Sequence, residues 1–305
     1  CAPDWALDNR AAGVRVHVLE QGYLRPGWLT LEREALGAWQ WQGEPGPALP
    51  STQDWRQSFA GFAAMDVAHH LANAALGWRQ YPHYRSHELW SPWHEWLGWA
   101  RRGVTHNLTQ REVAAANGRL ETGEGPIFLL ALQLATDFQL RDHGPAGGLL
   151  AVIAQTVASF RAHAPAAARL VVKPHPLDPF PWRCREHLAM EADGDKRVVW
   201  LPGSDLAVLW PRLRGVVTVN STVGLSALLR GVPVFALGRA VYAPLAQTEA
   251  LDGFWGDPQP ADAGMTADFV SALAAATQLR GSFDGDGMTP GAEAVAARLL
   301  DGQGQ

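Results

Sequence analysis

Apolar and polar positions change texture near the middle of the chain. Val14-Arg15-Val16-His17-Val18-Leu19 alternates as a strand does, and Glu20-Gln21-Gly22-Tyr23 turns out of it. Residues 42–54 hold Gly43, Pro45, Gly46, Pro47 and Pro50, which predicts a loop. Between Trp55 and Gly77, Phe59, Phe62, Ala63, Val67, Leu71, Ala74 and Ala75 are spaced for a helix. Tyr81 to Arg102 interleaves aromatic residues with His and Arg and is interrupted at Pro82 and Pro92. Ile127 to Leu132 is uniformly apolar, a buried strand, and Gln133 to His143 is its following loop.

Past Pro145, strands and helices alternate. Leu149 to His163 has an alanine-rich helical pattern, Leu170-Val171-Val172 a strand, Val198 to Leu201 another, and Asp205 to Leu213 a helix. Val216 to Val219 and Val232 to Phe235 are further strands, separated by a helix over Val223 to Arg230. Strands alternating with helices predict an α/β fold with a parallel sheet of βαβ units. The Gly147-Gly148 punctuation places a boundary at residues 144–148, giving domains over 1–146 and 147–290 and a C-terminal tail over 291–305, and the chain is glycine-rich after Gly281.

Composition narrows the function classes. A chain of 305 residues with 47% hydrophobic and 18% charged residues accommodates two packed domains. No apolar stretch approaches the roughly 18–20 residues of a membrane span. The net charge of −5 argues against a duplex nucleic-acid binder working through a basic face. Cys1 and Cys184 form no disulfide framework or zinc-type cluster, and no charged segment followed by an apolar one opens the chain, so a reducing cytoplasmic setting is expected. Neither a Gly-x-Gly-x-x-Gly nor a Walker-type loop occurs, which removes support for dinucleotide and ATP sites.

Ligands of open α/β sheets bind beyond the carboxyl ends of the strands, where two loops carry chemistry. Lys173-Pro174-His175-Pro176 offers a cation and an imidazole on a backbone stiffened by two prolines. Asn220-Ser221-Thr222 opens a helix and reads either as a phosphate seat or as ordinary capping. Together they favour a phosphorylated nucleotide. Glu20 and Asp137 each follow an apolar strand; they read as a catalytic pair in retaining glycosyl chemistry or as partners of Arg15 or Arg25 and of Arg141. His83, His87 and His94 lack a carboxylate to complete a metal site, and the Trp78–Arg102 mixture suits either lipid headgroups or packing between domains.

The ordered blocks Glu20 to Glu32, Tyr81-Pro82-His83-Tyr84-Arg85, Leu132 to Arg141, Lys173 to Pro176, Asn220 to Leu228, Gly231 to Val234, Gly238 to Tyr242 and Gly253-Phe254-Trp255 resemble the bacterial capsule polysaccharide biosynthesis/export family. More narrowly, they are similar to the S-type β-Kdo transferases of the Kps capsule system. The resemblance implies a GT-B-like glycosyltransferase with two Rossmann-like domains facing one cleft. The donor would be CMP-Kdo, an activated eight-carbon sugar acid, and the acceptor lyso-phosphatidylglycerol, starting a poly-Kdo linker without metal or cofactor. It assigns Asp137 of the Gln-x-x-x-Asp block as nucleophile and Glu20 as acid/base. Lys173, His175, Pro176, Asn220, Ser221, Thr222, Gln133, Arg25 and Arg141 fall to substrate binding.

The family pattern also implies a first domain lacking about 80–90 residues, the size of its opening βαβ units. The stretch Arg33 to Gln40 departs from the family's usual Gly-Val-Asn-type segment, where acceptor contacts would lie. Peripheral contact with the inner membrane and association with capsule assembly and export proteins follow from the same resemblance. A different CMP- or CDP-linked donor, or a non-catalytic scaffold of the export machinery, are the alternatives. A chain starting near Gly147 is expected to hold CMP by itself, because both nucleotide loops lie beyond that point.

Overall fold

The computed structural model describes residues 14–33, 35–50, 55, 59–77, 79, 92–122, 124–137, 140, 144–203 and 205–301. The chain divides into two compact units. One comprises Gln40–Pro45 and Trp96–Val270, the other the described parts of Ala2–Trp39, Gly46–Glu95 and Ser271–Gln305.

The first unit is built on five parallel strands: β3 (Ile127–Ala131), β4 (Arg169–Lys173), β5 (Val198–Trp200), β6 (Leu213–Thr218) and β7 (Val234–Ala236). Their spatial order is β5-β4-β3-β6-β7. The chain steps outward from β3 through β4 and β5, returns to the other side of β3 at β6, and ends at β7. This is the doubly wound arrangement, and its switch point lies between β3 and β6.

The central positions of the strands are apolar because both faces of such a sheet are covered, with Arg169, Lys173, Arg214 and Thr218 at or near strand ends. Phe128, Leu130, Leu170, Val172 and Val217 are fully buried in one cluster. Helix Gly148–His163 lies between β3 and β4 and contributes Leu149, Val152, Ile153, Val157 and Phe160, the spacing of a single helix face. Phe128 and Phe160 both meet Trp255 edge-to-face, with ring centroids 5.1 and 5.3 Å apart.

The second unit has a three-stranded antiparallel sheet, in the order β1 (His17–Gln21), β2 (Trp28–Arg33) and β8 (Gln278–Arg280). Buried Gln278 ties the β1–β2 loop to the sheet: Oε1 accepts from the Leu24 N–H and Nε2 donates to Thr30 Oγ1 at 2.9 Å. A helix over Met288–Asp301 covers Leu29, Leu31 and Leu279 with Ala294, Val295 and Leu299. A separate helix over Phe59–Ala72 leaves Met65 and Leu71 exposed.

Three expectations are corrected here. The boundary at 146 falls inside the parallel unit, since β3 is hydrogen-bonded on both sides to strands beyond it. Residues 278–301 are not an appendage of the second domain or a tail: they complete the sheet and core begun by β1 and β2. The first strand runs over 17–21 rather than 14–19, so Glu20 lies within it, opposite Thr30, and not in a turn beyond its end.

Candidate functional site

The carboxyl ends of β3, β4 and β6 bring the candidate residues of the parallel unit together. Leu132 N donates to Lys173 O at 2.9 Å, and Thr218 Oγ1 donates to Ala131 O at 3.2 Å, so the three strand ends are tied in register. Gln133 follows directly and is buried. Its Nε2 donates to Asp137 Oδ2 at 3.1 Å and to Asn220 Oδ1 at 2.8 Å, and its Oε1 accepts from the Asn220 N–H at 3.2 Å. These bonds cross the switch point from the β3 loop to the β6 loop. Asp137 is half-buried, and its N–H donates to Leu134 O at 3.0 Å, closing the turn that returns the carboxylate to Gln133.

Beyond Asn220, the Ser221 side chain caps the helix Thr222–Leu228 by accepting from Val223 N. The capping role anticipated for Ser221 is therefore present. Its carbonyl accepts from the hydroxyl of fully buried Tyr242 at 2.7 Å. Tyr242 reaches that carbonyl because residue 224 is glycine: a Cβ there would stand 2.2 Å from the tyrosine oxygen. Thr222 is half-buried beside this cap.

Lys173 ends β4 and is 9% exposed; burial lowers its pKa from the usual lysine range, opposed by the negative charge of Asp205. A buried ammonium of this kind gains most from an anionic ligand. Half-buried His175 accepts the Leu177 N–H at Nδ1, 3.1 Å away, so the neutral ring carries its proton on Nε2. Pro176 is exposed at the outer end of the loop.

Sequence reasoning missed Arg102, on the helix Pro92–Val104. Its Nη1 donates to Pro176 O at 2.8 Å and Asp178 O at 2.7 Å, holding the backbone on the far side of His175. Burial lowers the Arg102 pKa and raises that of Asp178, whose Oδ1 accepts from the Phe180 N–H. Contacts to carbonyls more than seventy residues away leave no local pattern to read. Replacing Arg102 with methionine should cost about 1.5–3 kcal/mol, the worth of hydrogen bonds from a charged group. Urea unfolding of the two proteins measures this directly.

Glu20 and Arg25 belong to the antiparallel unit and are both exposed. Arg25 Nε donates to Gly22 O at 3.2 Å within its own turn. The buried carboxylate there is Glu32: it accepts from Tyr23 Oη at 2.9 Å, Gly37 N at 2.7 Å and Trp39 N at 3.2 Å. Glu32 thus fixes the backbone at Gly37 and Trp39. Burial and the neighbouring Glu32 charge raise the Tyr23 pKa. Arg141, His83, His87 and the Tyr81–Arg85 block lie outside the described residues.

Residues 6–284 match the sequence profile of the family described as capsule polysaccharide biosynthesis protein. The chain is 28% identical over 258 residues to the capsule polysaccharide export protein KpsS of Escherichia coli, covering 79% of this chain and 64% of that protein. It is also 28% identical over 296 residues to the capsule polysaccharide modification protein LipB of Neisseria meningitidis, covering 87% of this chain and 67% of the relative. The chain therefore spans about two thirds of the length of these relatives. Among solved structures, the KpsC β-Kdo 2,7 transferase of Thermosulfurimonas dismutans aligns with 64% of this chain and 60% of its own, at 20% identity and a TM-score of 0.37.

Proposed function

The chain belongs to the capsule polysaccharide biosynthesis family, and from that premise we propose that it is a GT-B-type retaining glycosyltransferase that moves β-Kdo from CMP-Kdo to lyso-phosphatidylglycerol. The observation that carries this reading is the Gln133 bridge. It holds a half-buried carboxylate, Asp137, beside the Asn220 loop at the switch point of a doubly wound sheet, where such folds bind nucleotides.

In this mechanism Asp137 attacks the anomeric carbon while the bond from that carbon to the CMP phosphate oxygen breaks, its electron pair leaving with CMP. The Lys173 ammonium and the His175 Nε2–H stabilise the departing phosphate, with Asn220, Ser221 and Thr222 lining its seat. The leaving group then needs no protonation. Glu20 next takes the proton of the lipid hydroxyl, whose oxygen displaces Asp137 and restores the original configuration. Arg25 and Arg141 serve the anionic substrates.

A lipid acceptor requires contact with a membrane surface. Among the described residues no helix is long and apolar enough to cross one. Met65, Leu71 and Leu76 offer exposed apolar side chains for peripheral contact with the inner membrane, where the other capsule assembly and export proteins would be met.

Titration calorimetry tests the donor assignment. CMP should bind more tightly than UMP, and His175→Ala should weaken CMP at least about tenfold, since one charge-assisted hydrogen bond is worth about 1.5–3 kcal/mol. Equal affinities for CMP and UMP would point to a different donor. Transfer to lyso-phosphatidylglycerol, followed by mass spectrometry of the lipid, tests the acceptor.

A further inference from the structure

We propose that Gln133 is a positioning residue that fixes the Asp137 carboxylate against the nucleotide loop, and not a ligand of the substrate. The proposal rests on the reading of Asp137 as nucleophile.

The orientation of the Gln133 carboxamide is determined by its partners. The Asn220 backbone N–H can only donate, so the atom it meets at 3.2 Å must be the oxygen, Oε1. The nitrogen is thereby turned toward Asp137 Oδ2 at 3.1 Å and Asn220 Oδ1 at 2.8 Å. A carboxamide has two N–H groups, and both are committed. Gln133 is 5% exposed, and its donors already serve the protein, so none is left to read a sugar or phosphate. Its three bonds have a different effect. They join the loop after β3, which carries the carboxylate, to the loop after β6, which carries Asn220 and the Ser221 cap.

The spacing explains how this is built. Gln133 leaves the end of β3 in register with Lys173, and the turn closed by Asp137 N–H to Leu134 O brings residue 137 back over residue 133. A carboxylate on such a turn samples several rotamers unless one oxygen is held. A displacement of about 1 Å at a reacting group costs about a hundredfold in rate. Gln133 holds Oδ2 by a bond whose donor is itself fixed from the opposite side of the switch point.

Two variants separate positioning from packing. Gln133→Glu keeps an oxygen for the Asn220 N–H but sets a second, proton-free oxygen against Asp137 Oδ2. Gln133→Met keeps the length and removes all three bonds. Both are assayed with CMP-Kdo and lyso-phosphatidylglycerol, beside Asp137→Asn, with thermal melting to verify folding. Gln133→Glu should lower kcat about a hundredfold while donor KM stays within about threefold, and Gln133→Met should lower kcat similarly and raise KM as well. Wild-type kcat in Gln133→Glu, or losses confined to KM in both variants, overturns the positioning role. If Asp137→Asn is inactive while Gln133→Glu is fully active, only this inference fails. If Asp137→Asn retains turnover, the nucleophile reading fails and takes the inference with it. Should Gln133→Met not fold, Gln133→Glu decides.

Discussion

Asp137→Asn should abolish sugar transfer, by at least about 10³-fold in kcat, while leaving the fold intact. The amide keeps an oxygen to accept the Gln133 N–H now donated to Oδ2, so the bridge to Asn220 survives. The half-buried side chain lies outside the apolar cluster formed by Phe128, Leu130 and Val217. Stability should therefore stay within about 1 kcal/mol of the parent, as for polar substitutions away from the core. Paired measurements of transfer and urea unfolding check both halves of the expectation. Loss of several kcal/mol with the activity would instead make Asp137 a structural residue.

A chain starting at Gly147 should not fold. The expectation that it would hold CMP alone is reversed by the position of β3. Removing Ile127–Ala131 takes the central strand from between β4 and β6 and strips both of a full parallel ladder. Phe128 and Leu130, both at 0% exposure, leave the cluster containing Phe160 and Trp255. Truncating one buried phenylalanine alone costs about 3–5 kcal/mol, against a domain stability of about 5–15 kcal/mol. Gln133 and Asp137 are lost with it. Thermal melting followed by circular dichroism should show no cooperative transition for this chain. A cooperative transition with CMP binding would mean that β3 is dispensable and that the sheet closes without it.

Much of the parallel unit is legible in the sequence because β3 and β4 are buried on both faces and the helix between them on one. Leu149 to His163 reads as a helix from its spacing, and it is one from Gly148 to His163. The same region misleads about domains. Gly147 and Gly148 adopt positive φ angles of 94° and 65°, which swing the chain into that helix; their punctuation marks a helix start and not a boundary. The glycines after Gly281 mislead similarly. A Cβ on Gly281 would lie 2.2 Å from the Gly291 Cα, so two backbones touch where the composition suggests a loose tail.

β2 is hidden for another reason. Thr30 and Glu32 are buried along with Leu29 and Leu31, satisfied by Gln278, Tyr23 and the Gly37–Trp39 backbone, and the polar positions read as surface. At the site, the residue types at 133, 137, 173, 175 and 220–222 are visible in sequence. The bond from residue 133 to residue 220 depends on strand order, which no local pattern encodes.

The most direct test of the account is where CMP binds. Backbone amide shifts of the isotopically labelled protein, recorded during titration with CMP, report the non-proline residues near the nucleotide. A saturable response is expected at Gln133, Asp137, Lys173, His175, Leu177 and Asn220 to Val223, with UMP producing a weaker one. No saturable response to CMP, or shifts centred away from the ends of β3, β4 and β6, would contradict a nucleotide site at the switch point.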